Sequence, residues 1–371
     1  MGVELRSFSA LMARTWVDNR LFSVLVELTY RCNLDCFFCY NDLGLKGAPL
    51  TAEQYMQFFE DLAEMQVLNL TLSGGEPLAH PEFLRLGRAV RELGFVVRIK
   101  SNGHALCGEM LRRVKAEIDP YQVEVSLHGA HPDSHDRQTR VPGSFARLIA
   151  NLSEMKSAGI RVKLNSTLTR WNESEVEEMF AIADRLGFQL QFDPEVTPRD
   201  DGDLSPLTIR PSRDGVLRLF RLEFARGEAA ANRASGGNTP AVAPRADDLV
   251  PAAPGKHCGA GSSGIAVDPY GNVYPCVQWR RSIGNLHRQS IHEMWAGSPE
   301  LQSIRQITAD AAKVISQYGP QGPLLAFCPG LAASISGNPL LIYSGARQRA
   351  EIIEQVKSEF RPIELPSASG A

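Results

Sequence analysis

The chain has 371 residues, 43% of them hydrophobic and 22% charged, with a formal net charge of -3. That length allows two or three domains and a sizeable core, while the near-neutral balance excludes the basic stripe of a nucleic-acid binder. No apolar run reaches the ~20 residues of a bilayer-spanning helix and the N-terminus has no apolar signal core, so the protein is expected in the cytoplasm, without a membrane.

Residues 1–22 read as an N-terminal extension. From 23 to 193, β-rich runs alternate with amphipathic helical stretches. The strands are "SVLVEL" (23–28), "NLTLSG" (69–74), "FVVRIKS" (95–101), "QVEVSL" (122–127), "RVKLNSTL" (161–168) and "FQLQF" (188–192). In the first intervening helix Tyr55, Phe58, Phe59 and Leu62 recur at helical spacing, and Thr51 with Gln54 makes a capping box. Strand–helix alternation with mostly apolar strands predicts an α/β fold, a parallel sheet covered by helices. Six such units give an incomplete (β/α)6 relative of the eight-stranded barrel, with its chemistry at the C-terminal strand ends. On the fifth strand Lys163 and Asn165 are assigned to opposite faces, so that only one of them would point inward.

Residues 194–256 break the rhythm. This bridging segment holds a turn-rich stretch, one helix in "SRDGVLRLFRLEFARGEAAAN" and a mobile Ala/Pro/Gly loop. A second, small α+β region spans 257–371. It opens with a hairpin in "GIAVDPYGNVYPC", with helices following near 290–306 and 344–358.

Seven cysteines in a reducing compartment read as metal ligands before disulfides. Cys32, Cys36 and Cys39 follow the first strand within "RCNLDCFFCYND". Iron–sulfur cubanes are usually held by four thiolates, so three leave one iron open to a substrate or cofactor, as a catalytic zinc site keeps a free position. The bland alternative is a zinc knuckle with a distant fourth ligand.

"CNLDCFFC" resembles the signature of the radical S-adenosylmethionine (SAM) superfamily. The resemblance implies a partial (β/α)6 barrel and a 4Fe-4S cluster on Cys32, Cys36 and Cys39, with SAM chelating the fourth iron. It also implies reductive cleavage of SAM to a 5'-deoxyadenosyl radical that abstracts a substrate hydrogen. "LSGGEP" then places Gly74, Gly75 and Glu76 around the methionyl amino group, the glycines letting backbone approach the ligand. Ser101, Asn102 and Ser126 become candidates for the methionyl group or ribose, and Phe38 for the adenine. Arg137 or Arg140 is a candidate for the SAM carboxylate. His128, His131 and His135 read as parts of a solvated loop.

"CGAGSSGIAVDPYGNVYPC" with "IGNLHRQSIHEMW" is similar to the auxiliary-cluster extension called SPASM, or its shorter form, twitch. Cys258, Cys276 and Cys328 would then hold one auxiliary 4Fe-4S cluster. The sequence departs from both patterns: a full SPASM domain has cysteines for two clusters, and Leu331 stands where a twitch domain commonly has its second thiol of a Cys-x2-Cys pair. Cys107 is left over, as a buried small residue or a hydrogen donor.

Enzymes of this kind mostly modify ribosomally made peptides, so a peptide substrate is expected. A flavodoxin or ferredoxin would supply electrons. Only about twenty residues precede the first strand, fewer than a domain needs, so a leader peptide would be bound by a separate protein or by 194–256. The alternatives are a dehydrogenase or epimerase acting on a sugar or aminocyclitol, and a non-catalytic iron–sulfur scaffold.

Overall fold

The computed structural model describes residues 8–234 and 255–360. The loop expected to be mobile falls mainly on 235–254, outside the described residues. Helix α1 (Phe8–Val17), which the sequence reading did not anticipate, leads into strand β1 (Ser23–Glu27). The βα alternation follows as expected, through α2 (Ala52–Glu64), β2 (Asn69–Ser73), α3 (Phe83–Glu92), β3 (Val96–Ser101), α4 (Gly108–Arg113), β4 (Gln122–Ser126), α5 (Pro132–Thr139), α6 (Ser144–Ser157), β5 (Val162–Thr167), α7 (Val176–Leu186) and β6 (Gln189–Asp193). Both halves of the capping box at Thr51 and Gln54 form, and Tyr55, Phe58, Phe59 and Leu62 are the buried stripe of α2. Strands β1 to β6 pair in parallel in sequence order and form an open half-barrel.

The strands are not apolar throughout. One face carries Val26, Leu72, Ile99, Val123 and Leu164, all buried in the main core. The other face carries, in register, Glu27, Ser73, Lys100, Glu124, Lys163 and Gln189. A parallel sheet reads as continuously apolar only when both faces are covered. Here the concave face is polar, and the sequence alternates accordingly. Lys163 and Asn165 are two residues apart and therefore share that face, because side chains alternate with period two. Their expected placement on opposite faces is corrected.

The hairpin also forms, from β7 (Gly264–Val267) and β8 (Asn272–Tyr274), with Ala266 opposite Tyr274. Its turn is held by Asp268, which is fully buried and accepts from Tyr270 N, Asn272 N and the Tyr274 hydroxyl. Unanticipated is its attachment. β7 pairs in parallel with β1, and β8 pairs antiparallel with β9 (Gly284–Asn285), so one nine-stranded sheet runs β6-β5-β4-β3-β2-β1-β7-β8-β9. The bridging helix α8 (Arg213–Ala234) forms as expected. The helix expected near 290–306 is two, α9 (Ile291–Gly297) and α10 (Pro299–Ser316), split where Ser298 caps a proline-started helix. Two further helices follow, α11 (Pro329–Ser336) and α12 (Ser344–Glu359). The last packs on α8, where Arg221 pairs with Glu359 at 2.6 Å.

Candidate active site

The three-cysteine loop leaves the C-terminal end of β1 with Cys32 exposed and Cys36 and Cys39 half-buried. Burial, with the neighbouring thiols adding like charge, pushes the Cys36 thiol far up, and Cys39 rises to about 11. Without a metal these groups are thiols, and bound iron would make them thiolates. Among the described residues no three His, Cys, Asp or Glu converge on a point that one metal ion would fill. A cluster differs in taking one thiolate on each of several irons, which spreads its ligands apart.

The backbone of the loop is fixed from two sides. On one side, Asp35 N and Phe37 N donate to the carbonyls of Thr139 and Gln138, at the end of α5 (3.1 and 2.9 Å). On the other, Gly75 N donates to Thr29 O (2.7 Å) and Glu76 N to Arg31 O (2.9 Å). Gly74 has φ +142°, and a Cβ there would lie 2.3 Å from Thr29 O; one on Gly75 would lie 2.7 Å from the carbonyls of Tyr30 and Arg31. The glycine pair thus admits a close approach, but what approaches is the backbone leading into the cysteines.

Glu76 is 2% exposed, and burial pushes its carboxyl up to about 7. It accepts from Ser101 Oγ (2.9 Å), Asn102 N (2.9 Å) and Leu78 N (3.2 Å). Ser101 also accepts from Gly103 N, so its hydroxyl is engaged in holding Glu76. Asn102 reaches the cysteine loop itself, donating from Nδ2 to Asn33 Oδ1 (2.8 Å) and Cys32 Sγ (3.7 Å). Ser126 closes β4, half-buried, on the concave face. Asn41, two residues past Cys39 and 2% exposed, donates to Gly74 O (3.3 Å), while its Oδ1 is buried with no protein partner. An unpartnered acceptor beside the glycine pair fits a ligand that brings N–H donors.

Both arginine candidates sit at the C-terminal end of α5, Arg137 in its last turn and Arg140 as its C-cap. Arg140 pairs with Asp35 at 3.3 Å and lies over the Phe37 ring, against the cysteine loop; Arg137 stacks on Trp171 at 4.1 Å. The solvated-loop reading holds for His131, whose imidazole is half-exposed. It fails for His128 and His135, at 6% and 1% exposure, which lie in the barrel top. Phe38 packs edge-on to His128 at 4.6 Å, and His128 Nδ1 is buried without a partner. Cys107 sits at the N-cap of α4, its backbone bonded to Ala105 and Leu111, and no hydrogen bond joins it to the cysteine loop.

In the second region Cys258, Cys276 and Cys328 gather near one another. Burial first, and Cys328 among the charged neighbours, pushes Cys258 up to about 11; burial and both other thiols push Cys276 further. His257 joins the segments by bonding Phe327 O at 2.6 Å. Cys328 caps α11, accepting from Leu331 N (3.4 Å), and the Leu331 side chain is buried.

Sequence reasoning missed the link between the two cysteine sites. Glu27, fully buried at the end of β1, receives both terminal nitrogens of Arg280 (2.9 and 3.0 Å) and the hydroxyls of Tyr30 (3.1 Å) and Tyr40 (3.2 Å). Arg280 Nε reaches Asp200 (2.7 Å), whose backbone N–H donates to Tyr40 O. This clamp ties the residue after Cys39 to the loop after Cys276. Its partners stand 253 residues apart, and the one local signal was a charged residue in a β-rich run.

A family profile described as the radical SAM superfamily matches residues 26–183, and one described as an iron-sulfur cluster-binding domain, SPASM, matches 258–317, ending before Cys328. The PqqA peptide cyclase of Ruegeria pomeroyi is 32% identical over 262 residues, 68% of this chain and 67% of that protein. The mycofactocin maturase MftC of Mycobacterium ulcerans is 29% identical over 286 residues, covering 76% of each. The pre-heme d1 synthase of Dinoroseobacter shibae is 30% identical over 308 residues, 76% of this chain and 75% of that one. In fold, the chain resembles native anSMEcpe with bound AdoMet, with a TM-score of 0.65 at 17% identity over 91% of this chain and 100% of that one. The cysteine loop, the glycine pair and these similarities agree: the chain belongs to the radical SAM superfamily, in the branch that carries a C-terminal SPASM domain.

Proposed function

We propose that the chain modifies a peptide substrate by SAM-dependent radical chemistry. The observation that carries this reading is the 32% identity, over two thirds of each chain, with a protein named as a peptide cyclase. When bound, a 4Fe-4S cluster and SAM supply one-electron cleavage of the sulfonium and abstraction of a substrate hydrogen atom. Cys32, Cys36 and Cys39 would hold that cluster. Asn102 steadies Cys32 and Asn33, while Glu76, fixed by Ser101, holds the Asn102 backbone. Gly74 and Gly75 bring their strand end against the loop, with the free acceptor of Asn41 beside it for the methionyl amino group. Phe38 and His128 offer a ring surface for the adenine. Arg140, over Phe37 and beside Asp35, and Arg137, over Trp171, are the candidates for the SAM carboxylate. Burial of Glu27, Ser73 and Asn102 keeps water from this end of the barrel.

Cys258, Cys276 and Cys328 would hold one auxiliary cluster with three cysteine ligands, and the catalytic division would follow 23–193 and 257–371. A flavodoxin or ferredoxin would deliver the electron. No helix among the described residues is long and apolar enough to cross a membrane.

A second reading, a synthase acting on a tetrapyrrole, is favoured by the 30% identity with pre-heme d1 synthase. The test is anaerobic reconstitution with iron and sulfide, then reduction with dithionite in the presence of SAM and a peptide encoded beside the gene. The proposal expects 5'-deoxyadenosine together with a mass change on the peptide. Formation of 5'-deoxyadenosine with an unchanged peptide, and a mass change on a tetrapyrrole supplied in its place, supports the second reading.

A further inference from the structure

The concave face of the half-barrel differs in charge from one side to the other. At β1 and β2 it is closed: Glu27 is fully buried and neutralised by Arg280, and Ser73 is 5% exposed. Towards β6 it opens, with Lys100, Gln189 and Gln191 exposed and Lys163 half-exposed. Register places Lys100, Glu124 and Lys163 side by side on β3, β4 and β5, with Arg98 one step below on the same face. That row lies two residues, about 7 Å, beneath Ser126 and Asn165.

Three cations in this patch, Arg98, Lys100 and Lys163, surround Glu124, and the carboxylate at the end of β6, Asp193, is drawn to Arg349 and Lys100. Glu124 is drawn to Lys100 at 3.2 Å and Arg98 at 3.6 Å, and Asn165 Nδ2 donates to it at 2.9 Å. With these partners Glu124 is committed. Lys163 donates only to the amide oxygen of Gln191, and among the described residues it forms no ion pair. Burial and the like charges of Lys100 and Arg98, against the pull of Glu124, hold its ammonium below the usual lysine range. A half-buried ammonium on an open concave wall, sharing its neighbouring carboxylate Glu124 with two further cations and closing no ion pair of its own, has room for a further anion.

We propose that Lys163, with Lys100 beside it, forms a carboxylate-binding subsite that receives an acidic side chain of the substrate. That the acid belongs to a peptide rests on the reading above; the subsite itself does not. A peptide entering from the β6 side would set a Glu or Asp against Lys163, about one strand step below the residues assigned to SAM. The preference would act on where the substrate lies and hence on which C–H bond faces the cofactor.

The test uses the reconstituted protein and a pair of short fluorescein-labelled peptides, identical but for one central Glu or Gln. Anisotropy titrations at low salt compare the wild type with K163Q and K163R. The Glu peptide should bind more tightly than the Gln peptide, and K163Q should weaken it about tenfold, the size of one charge-assisted hydrogen bond. K163R should largely restore it, and the Gln peptide should change less than about twofold. Equal binding of the two peptides, or an equal loss for both in K163Q, overturns the subsite while leaving the peptide reading intact. A loss of SAM affinity instead, measured by equilibrium dialysis, also overturns it, since the row would then serve the methionyl carboxylate. If neither peptide binds but glutarate does, and does so more weakly in K163Q, the subsite stands and the peptide reading fails.

Discussion

Breaking the clamp between the two cysteine sites should cost more than any surface ion pair. Glu27 is fully buried and takes four hydrogen bonds, two from Arg280 and one each from Tyr30 and Tyr40. Arg280 is 14% exposed in its side chain and stands over the rings of Tyr40 and Tyr274. Glu27→Gln leaves Asp200 as the guanidinium's one remaining carboxylate, and removing one charge of a buried pair typically costs about 3–5 kcal/mol. Arg280→Met should cost at least as much, because it strands Glu27 and also Asp200, whose carboxyl burial already pushes up to about 7. The double variant leaves no unpaired partner between them, so its loss should fall short of the sum by about 2–3 kcal/mol. Urea unfolding of the metal-free chains, followed by tryptophan fluorescence, gives the cycle, with Trp279 next to Arg280 as a local reporter. Single losses below about 1 kcal/mol with no coupling would show that the clamp behaves like a solvated pair and would refute the reasoning.

Three further outcomes follow from the same geometry. Gly75→Ala should impair loading of the first cluster, since its Cβ would lie 2.7 Å from two carbonyls of the strand leading into the cysteines; iron content and visible absorbance after reconstitution check this. Alanine at Cys32, Cys36 and Cys39 together should halve the iron of a protein that otherwise holds about eight irons on the two-cubane reading, and alanine at Cys258, Cys276 and Cys328 should remove the other half. His128 and His135 are held neutral by burial, with values lowered to about 3 and about 4. Because the unfolded chain takes up these protons first, near pH 6.5, stability should be constant above that pH and fall below it, by on the order of 2 kcal/mol per histidine at pH 5. His135→Gln should flatten the fall in a urea series across pH 5 to 7.

The βα alternation was legible because strand and helix write different periods into the chain, as in Val24, Val26 and Leu28 against Tyr55, Phe59 and Leu62. The cysteine loop was legible because three thiols in eight positions have few structural uses. Other features depend on distance rather than pattern. Glu27 and Arg280 meet across 253 residues, and no local period announces the pairing of β7 with β1. Gly74 and Gly75 also admit a close approach of the Thr29–Arg31 backbone, a partner that spacing alone does not identify. Ser101 looked like a ligand contact, yet it lies on the helix side of β3 and bonds Glu76. The histidines of "SLHGAHPDSHDRQTR" looked solvated because their neighbours are polar; two of them are covered once α5 folds back over the cysteine loop.

The account rests on Cys32, Cys36 and Cys39 binding a cluster that leaves one iron for SAM. The direct measurement is 5'-deoxyadenosine formed from SAM by the anaerobically reconstituted, dithionite-reduced protein, compared with Cys36→Ala prepared identically. Steady formation by the first and none by the second is the predicted result. Equal formation by both would contradict it.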